Sequence, residues 1–267
     1  MYIEISDEQW FEAIAHPESS GNRFGFALPA LPPAGVQKRY NAQPGLATLK
    51  HAFAIYRCFS SHLPKRKADP LIMDFGAGWG RIARFFLRDT PAGNIWAVDP
   101  LPDSIYWMRK TGLPCNIVKS EPLPPIPGIA GTRFDLVYAN SVFSHLSEDY
   151  FNAWIPYLLS LLRPEGRLVF TSRGNAFLNR MEAQSKKPGW KQKEIFGDLP
   201  ALRARHAAGK FIFLRNRGDN AALSGSFFGH ALVPKAYFER NYPGCLVEFA
   251  EPVPGLSQAV FVARNRG

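Results

Sequence analysis

The chain has 267 residues, of which 46% are hydrophobic and 20% charged, and its net charge is +10. This composition excludes a disordered or fibrous protein and predicts one large globular domain, or a domain with a cap. No apolar run approaches the ~18 residues of a membrane span, and the acidic start lacks the features of a secretory signal. The three cysteines stand apart from one another, so neither a disulfide framework nor a zinc site is expected. We therefore predict a cytoplasmic protein without a metal site.

Residues 1–68 are predicted to form an N-terminal extension or cap ahead of the main domain, residues 69–267. A helix is predicted over residues 44–62, because apolar side chains recur there at steps of three and four residues. The stripe consists of Leu46, Leu49, Phe53, Tyr56 and Phe59. The favoured interpretation is a helix packed on the edge of a sheet, and the alternative is a cap over a ligand site.

The most informative run is a buried strand at residues 71–73 that ends in Asp74 and continues into a glycine-rich turn. The glycines alternate, at Gly76, Gly78 and Gly80. Glycine lets the backbone turn sharply and lets a ligand approach without a Cβ in the way. A helix predicted over about residues 80–90 would point its free N–H groups and positive dipole end at that ligand. The run predicts a site for a nucleotide-like cofactor. A dinucleotide fingerprint would require glycine at position 81, where this chain has Arg81.

A second strand is predicted over residues 94–98 and ends in Asp99, which Pro100 follows. Asp99 lies nineteen positions after Gly80, which is enough for a helix and a returning strand. An acid at the carboxyl end of such a strand accepts hydrogen bonds from a ribose diol. A third strand, residues 116–119, leads into Glu121.

The remaining elements follow in order. The fourth strand covers residues 134–139 and precedes a polar turn that contains Asn140, Ser141 and His145. A helix is predicted near residues 149–163, and Pro156 should kink it or mark its first turn. A turn at 163–166 and a fifth strand at 167–171 come next. Towards the C-terminus, a helix at 234–240 precedes two strands, at 245–249 and 258–264.

These runs, in this order, resemble the class I S-adenosylmethionine-dependent methyltransferases. The resemblance covers roughly residues 69–172 and 234–264. It implies an α/β fold with a doubly wound, seven-stranded, mostly parallel sheet and a C-terminal antiparallel hairpin. Glu165 departs from the family pattern, which has glycine at that point of the turn.

The resemblance implies S-adenosylmethionine as the cofactor. The residues that match the family's cofactor-binding positions are Asp74, Gly76, Ala77, Gly78, Gly80, Asp99, Pro100, Glu121, Asn140 and Ser141. Within this set, Asp99 is expected at the ribose and Glu121 at the adenine amino group. His145 lies just beyond the fourth strand and is predicted to be the catalytic base, because histidine accepts protons near neutral pH. Other candidates for lining the pocket are His230, Tyr138, Asn140 and Arg173.

A basic insertion is predicted over about residues 173–230. Between residues 173 and 217, eleven lysines and arginines stand against three acids, which accounts for most of the chain's net charge. A solvated basic face, an anionic acceptor, an anionic membrane surface and nucleic acid remain alternatives. The aromatic residues of the insertion either stack on bases or sugars, or form its core, which is favoured. They are Trp190, Phe196, Phe211 and Phe213.

The favoured functional hypothesis is methyl transfer to a small-molecule or glycan-type acceptor, with an anionic acceptor as one alternative. An RNA methyltransferase and a catalytically silent cofactor-binding protein remain alternatives, and a nicotinamide dehydrogenase is a distant third. Nucleic acid is not favoured as a partner, because no recognisable RNA- or DNA-binding module accompanies the domain. The acceptor, the methylated atom and the oligomeric state stay open.

Overall fold

The computed structural model describes residues 3–64, 68–190, 193–215 and 223–266. The chain divides into two compact units, one made of residues 1–138 with 161–167 and the other of 139–160 with 168–267. The domain boundary predicted at residue 68 stays a prediction. In the described residues no helix is long and apolar enough to cross a membrane.

The first unit begins with four helices, and four strands with one further α-helix follow. The helices are α1 (Asp7–Ala15), α2 (Pro17–Ser20), α3 (Ala34–Asn41), α4 (Leu46–Ser60) and α5 (Pro102–Lys110). The strands are β1 (Ile72–Phe75), β2 (Ile95–Asp99), β3 (Asn116–Lys119) and β4 (Phe134–Ala139). Two 3₁₀ segments occur, at Ala83–Arg88 and Ala92–Asn94.

The later elements begin with α6 (Glu148–Ser160) and β5 (Leu162–Ser172). The further helices are α7 (Asn175–Ser185), α8 (Lys193–Phe196), α9 (Leu199–Ala207) and α10 (Lys235–Asn241). The further strands are β6 (Ile212–Arg215), β7 (Gly229–Leu232), β8 (Leu246–Ala250) and β9 (Ala259–Ala263).

Seven strands form one sheet in the order β3-β2-β1-β4-β5-β9-β8. Strand β1 pairs in parallel with β2 and β4, and β2 pairs in parallel with β3. Strand β9 runs antiparallel to both β5 and β8. Strands β1 and β4 are buried along their whole length, as expected of parallel strands covered on both faces. The predicted α/β fold with a seven-stranded, mostly parallel sheet and a C-terminal antiparallel pair is confirmed.

The helix predicted over about residues 80–90 is present as a shorter 3₁₀ helix, Ala83–Arg88. All six residues of Ala83–Arg88 are buried. The carbonyl of Gly80 accepts from both the amide and the side chain of Arg84, at 3.3 and 3.2 Å. This sharing weakens the hydrogen bond that would open an α-helix, and the left-handed Gly80 delays the helical start.

Three smaller predictions also need correction. Strand β5 begins at Leu162, so the turn predicted at 163–166 lies inside the strand. Glu165 has φ +65°, which lets the chain bend there without ending the pairing. Pro156 lies inside α6, not in its first turn. In α4 the predicted stripe is buried at Leu49, Tyr56 and Phe59, whereas Leu46 is half exposed.

Candidate cofactor and acceptor sites

The glycine turn follows β1, and its three glycines have left-handed backbone conformations. The φ angles of Gly76, Gly78 and Gly80 are +79°, +58° and +77°. Only glycine adopts these angles without a steric penalty, which explains the alternating pattern. At Gly80 an added Cβ would lie 2.5 Å from the side chain of Leu113. Gly80 thus serves internal packing, and its assignment to cofactor binding stays a prediction.

The backbone amides of the turn are already hydrogen-bonded inside the protein. Gly76 and Ala77 both donate to the carbonyl of Val98, at 2.8 and 3.0 Å. Gly78 donates to Asp99 Oδ2 at 2.8 Å. These three amides are therefore engaged within the protein, and the helix that follows the turn is a short 3₁₀ segment. A pyrophosphate needs such donors, so this turn is poorly suited to a dinucleotide.

Asp99 ends β2, as predicted, and lies directly beneath the turn. Its Oδ2 accepts from Gly78, and its Oδ1 accepts from the amide of Leu101 at 2.9 Å. Burial raises the pKa of this carboxyl, while the two backbone hydrogen bonds and a hydrogen bond from the Ser104 hydroxyl lower it. The two oxygens of a carboxylate have four lone pairs, so one remains for a ribose hydroxyl. The geometry is compatible with the ribose assignment; Pro100, which follows, is half-buried.

Asp74 adds a second buried carboxyl beside the turn. Burial raises its pKa to about 7, against the opposing effects of the Tyr138 hydroxyl and the Arg81 guanidinium. Its Oδ2 has no well-formed hydrogen bond among the described residues. S-adenosylmethionine carries a sulfonium, an ammonium and a carboxylate group, so it has a net positive charge, and it has no phosphate. Two buried acids with few free donors around them suit such a cation, so the residues present fit this cofactor.

Tyr40 is a residue of this site that sequence reasoning missed. Its ring lies over Gly78, where an added Cβ would be 3.1 Å from a ring carbon. Its hydroxyl is 3.0 Å from Ser104 Oγ and donates to Asp103 Oδ2 at 3.4 Å. The neighbouring Arg39 forms an ion pair with Asp103 at 3.1 Å. Helix α3 therefore covers the glycine turn, and no motif links residue 40 to residue 78 in the sequence.

The other predicted cofactor residues are placed as follows. Glu121 is exposed, two residues beyond β3, and the preceding Ser120 donates from its amide to the carbonyl of Asp99 at 3.2 Å. In the second unit, Ser141 has φ +60°, and its amide donates to Thr171 Oγ1 at 2.8 Å. Gln258 donates to Ser141 Oγ at 2.9 Å. Asn140 precedes this braced turn. The cofactor roles of Glu121, Asn140 and Ser141 stay predictions.

His145 is held as a neutral ring in the second unit. Its Nδ1 is 2.7 Å from the carbonyl of Gly229, which can only accept, so Nδ1 carries the proton. Its Nε2 is therefore the acceptor for Arg173, 3.3 Å away. Burial and the charge of Arg173 lower the pKa of His145 to about 3. In this conformation the ring is a weak base whose lone pair is already engaged. The catalytic role of His145 stays a prediction that requires the Arg173 contact to break.

The basic insertion has its own apolar core. Helices α7, α8 and α9 pack with β6 and β7 around a cluster that includes Phe177, Met181, Phe196 and Leu202. Trp190 packs against the cluster, and Phe211 is buried. The interpretation of Trp190, Phe196 and Phe211 as packing residues is therefore favoured over base stacking. Lys186, Lys187 and Lys193 are exposed, whereas Lys191 and Arg217 lie outside the described residues.

Comparisons with known proteins agree with this fold. Residues 73–168 match the model of a methyltransferase domain. Malonyl-[acyl-carrier protein] O-methyltransferase of Paenibacillus sp. (strain JDR-2) is 27% identical over 167 residues, which cover 57% of this chain and 59% of that protein. The chain thus spans less than two thirds of this curated relative.

Two solved structures illustrate the similarity. Streptomyces venezuelae DesVI aligns with a TM-score of 0.53 and 14% identity, over 88% of this chain and 99% of its own. Burkholderia thailandensis 1,6-didemethyltoxoflavin-N1-methyltransferase, with its namesake compound and S-adenosylhomocysteine bound, aligns with a TM-score of 0.51 and 16% identity. That alignment covers all of this chain and 93% of the other. At these identities the likeness concerns the fold alone.

Proposed function

We propose that the chain is a class I S-adenosylmethionine-dependent methyltransferase and that it transfers a methyl group to a small-molecule or glycan-type acceptor. The observation that carries this proposal is the chemistry of the glycine turn. The amides of Gly76, Ala77 and Gly78 donate hydrogen bonds inside the protein. Two buried acids, Asp74 and Asp99, lie beside the turn. This arrangement supports a cationic nucleoside cofactor over a phosphate-bearing one.

The chain's own residues would divide the work of binding. Asp99 accepts a hydrogen bond from the Gly78 amide and has a lone pair left to accept from the ribose diol. Asp74, ionised, faces positive charge on the cofactor. Tyr40 covers the turn and excludes water from it. When bound, the cofactor supplies a methyl group that is already activated, so the protein mainly has to orient the acceptor.

Several observations support a small acceptor over RNA. The relatives named above act on a malonyl-[acyl-carrier protein] and on a toxoflavin precursor. Three of the aromatic side chains interleaved with the basic residues, Trp190, Phe196 and Phe211, pack in the interior and are not arranged as a stacking platform. A methyl-transfer assay over metabolite and glycan pools distinguishes a glycan acceptor from another small molecule.

A binding measurement followed by a transfer assay tests the proposal. Calorimetry should show binding of S-adenosylhomocysteine and none of NAD. Methyl-labelled S-adenosylmethionine should then label a component of a metabolite or glycan pool. Label found only in RNA, with binding that falls steeply with salt, would favour the RNA alternative. Cofactor binding without any labelled product would favour the catalytically silent alternative, and NAD binding would refute the proposal.

A further inference from the structure

Arg173 is a buried cation in the second unit, and no acid of the described residues forms an ion pair with it. Only 8% of its surface is exposed. Burial lowers the pKa of its guanidinium to about 10, which leaves it charged at neutral pH. The charge that lowers the pKa of Arg173 is another cation, Arg180, and the nearby Glu251 carboxylate accepts from the amide of Ala176 at 2.7 Å. A buried charge without a partner is costly, and such groups concentrate at functional sites.

The contacts of Arg173 differ from those of a structural arginine in the same protein. Arg84 is fully buried, and its guanidinium donates to three carbonyl oxygens, those of Gly80, Pro29 and Ala30. Arg173 donates to one carbonyl oxygen, that of Ser144, and its second partner is the His145 ring. The Arg84 environment compensates the charge with backbone dipoles, whereas the Arg173 environment leaves it for an external anion.

A second polar group without a partner lies next to this arginine. His230 is half-buried in β7, and its Nδ1 has no hydrogen-bond partner among the described residues. Its ring centroid is 6.0 Å from that of His145. As the Nδ1–H tautomer, neutral His230 offers one donor beside the guanidinium. A backbone hydrogen bond links the segments that carry His230 and Arg173. Val233, which directly follows β7, donates from its amide to the Arg173 carbonyl at 3.3 Å.

Aromatic rings surround these donors. The guanidinium carbon of Arg173 lies 5.2 Å from the centroid of Phe177. Phe196 lies edge-on to His230 at 5.1 Å, and Phe228 stacks on His145 at 5.0 Å. An anion in this setting would meet few competing water molecules, and its attraction to the arginine would be strong.

We propose that Arg173 and His230 form a binding subsite for a carboxylate group of the methyl acceptor. The guanidinium supplies the charge and parallel N–H donors, and His230 supplies a further donor. His145 positions the arginine through its Nε2. The identity of the bound molecule as the methyl acceptor rests on the proposed function, whereas the binding of a carboxylate at Arg173 and His230 does not.

Benzoate and benzamide are suitable probes, because they share a ring and differ in charge. Titrations of the full chain at pH 7.5 and low salt, followed by the NMR signals of the histidine rings, give both affinities. We expect benzoate to bind at least tenfold more tightly than benzamide and to shift the His230 signals. Benzoate that binds no better than benzamide would overturn the subsite.

Variants locate the binding. Arg173→Gln should weaken benzoate at least tenfold, and His230→Phe should weaken it severalfold. Arg180→Gln is the matched control, because Arg180 also lies over Phe177, at 5.3 Å, but is exposed. It should bind benzoate within about twofold of the parent, since exposed charges act weakly. If Arg173→Gln does not fold, His230→Phe and the benzoate-to-benzamide ratio of the parent decide the question.

Parent-like benzoate affinity in a folded Arg173→Gln or His230→Phe protein would show that the arginine is only a structural brace. Neither cofactor nor turnover enters these titrations. Failure of the methyl-transfer assay therefore leaves their result intact. Conversely, a chain that methylates acceptors lacking a carboxylate and does not bind benzoate would refute the subsite and leave the proposed function standing.

Discussion

The ring of Tyr40 lies against Gly78, so that a Cβ at residue 78 would be 3.1 Å from a ring carbon. The tyrosine comes from α3 and the glycine from the turn after β1, and both belong to the first unit. The contact brings an N-terminal helix over the glycine turn. It gives residues ahead of the sheet a direct part in covering the proposed cofactor site.

A methyl group at residue 78 should therefore affect both folding and binding. Gly78→Ala places a side chain at φ +58°, which costs about 1–2 kcal/mol, and pushes against Tyr40. We expect S-adenosylhomocysteine affinity, measured by calorimetry, to fall at least tenfold. Gly112→Ala is the control, because Gly112 has φ +69° and nothing within 4 Å of an added Cβ. Equal losses of affinity in both variants would mean that strain, not the site, is responsible.

The hydroxyl of Tyr40 should slow cofactor release. It bonds to Ser104 and Asp103, and burial raises its pKa to about 12, so it stays protonated. Tyr40→Phe keeps the ring and removes these bonds. A hydrogen bond of this kind contributes about 0.5–1.5 kcal/mol, so S-adenosylhomocysteine should dissociate about two- to tenfold faster in stopped-flow fluorescence.

Tyr106→Phe serves as the control for that measurement, because Tyr106 lies on α5 but is 53% exposed. Its dissociation rate should match the parent. If instead Tyr40→Phe binds the cofactor more tightly than the parent does, the ring of Tyr40 obstructs the site and does not cover it.

The sequence was a good guide to everything that depends on local pattern. The buried runs at β1 and β4, the acids at the ends of β1 and β2, and the C-terminal pair β8–β9 were all predicted within a few residues. Each has a signal within a short window, namely an apolar run, a glycine spacing or a turn. The seven-stranded, mostly parallel sheet with its C-terminal antiparallel pair was predicted from the family that these signals resemble.

Contacts between distant residues carried no such signal. Tyr40 and Gly78 are far apart in the chain, and nothing near residue 40 marks it as part of a site. The Arg173–His145 contact similarly depends on β7, which ties residues 144–146 and 173 together through backbone hydrogen bonds. The 3₁₀ segment after the turn depends on the side chain of Arg84, whose partners Pro29 and Ala30 lie in the N-terminal region. Periodicity alone cannot report these relationships.

Replacement of Asp99 should lower stability as well as affinity. Asp99→Ala leaves the amides of Gly78 and Leu101 without acceptors, and each unsatisfied buried donor costs about 1–3 kcal/mol. Urea unfolding should show this loss in the absence of cofactor. Asp99→Asn keeps one carbonyl oxygen and should lose less. An Asp99→Ala protein with parental stability would contradict the bonding of this carboxylate to the turn.

Cofactor binding should strengthen as pH rises through 7, because Asp74 has a pKa of about 7 in the free protein. Below that pH the buried carboxyl is mostly protonated, and a cationic cofactor must displace the proton. We expect S-adenosylmethionine affinity to rise between pH 6 and 8, with proton release detected by calorimetry in buffers of different ionisation enthalpy. Asp74→Asn should bind with no pH dependence over this range.

The same carboxyl should make the stability of the protein depend on pH. Because the pKa of Asp74 in the folded protein is raised above the ordinary value of 3.8, the folded state holds the proton more tightly than the unfolded chain does. As the pH rises from about 4 to 7, the free energy of unfolding of the parent should therefore fall relative to that of Asp74→Asn. If the parent and Asp74→Asn lose or gain stability in parallel with pH, and the cofactor affinity of the parent does not change with pH, Asp74 is ionised throughout this range. Its carboxylate would then be hydrated in solution.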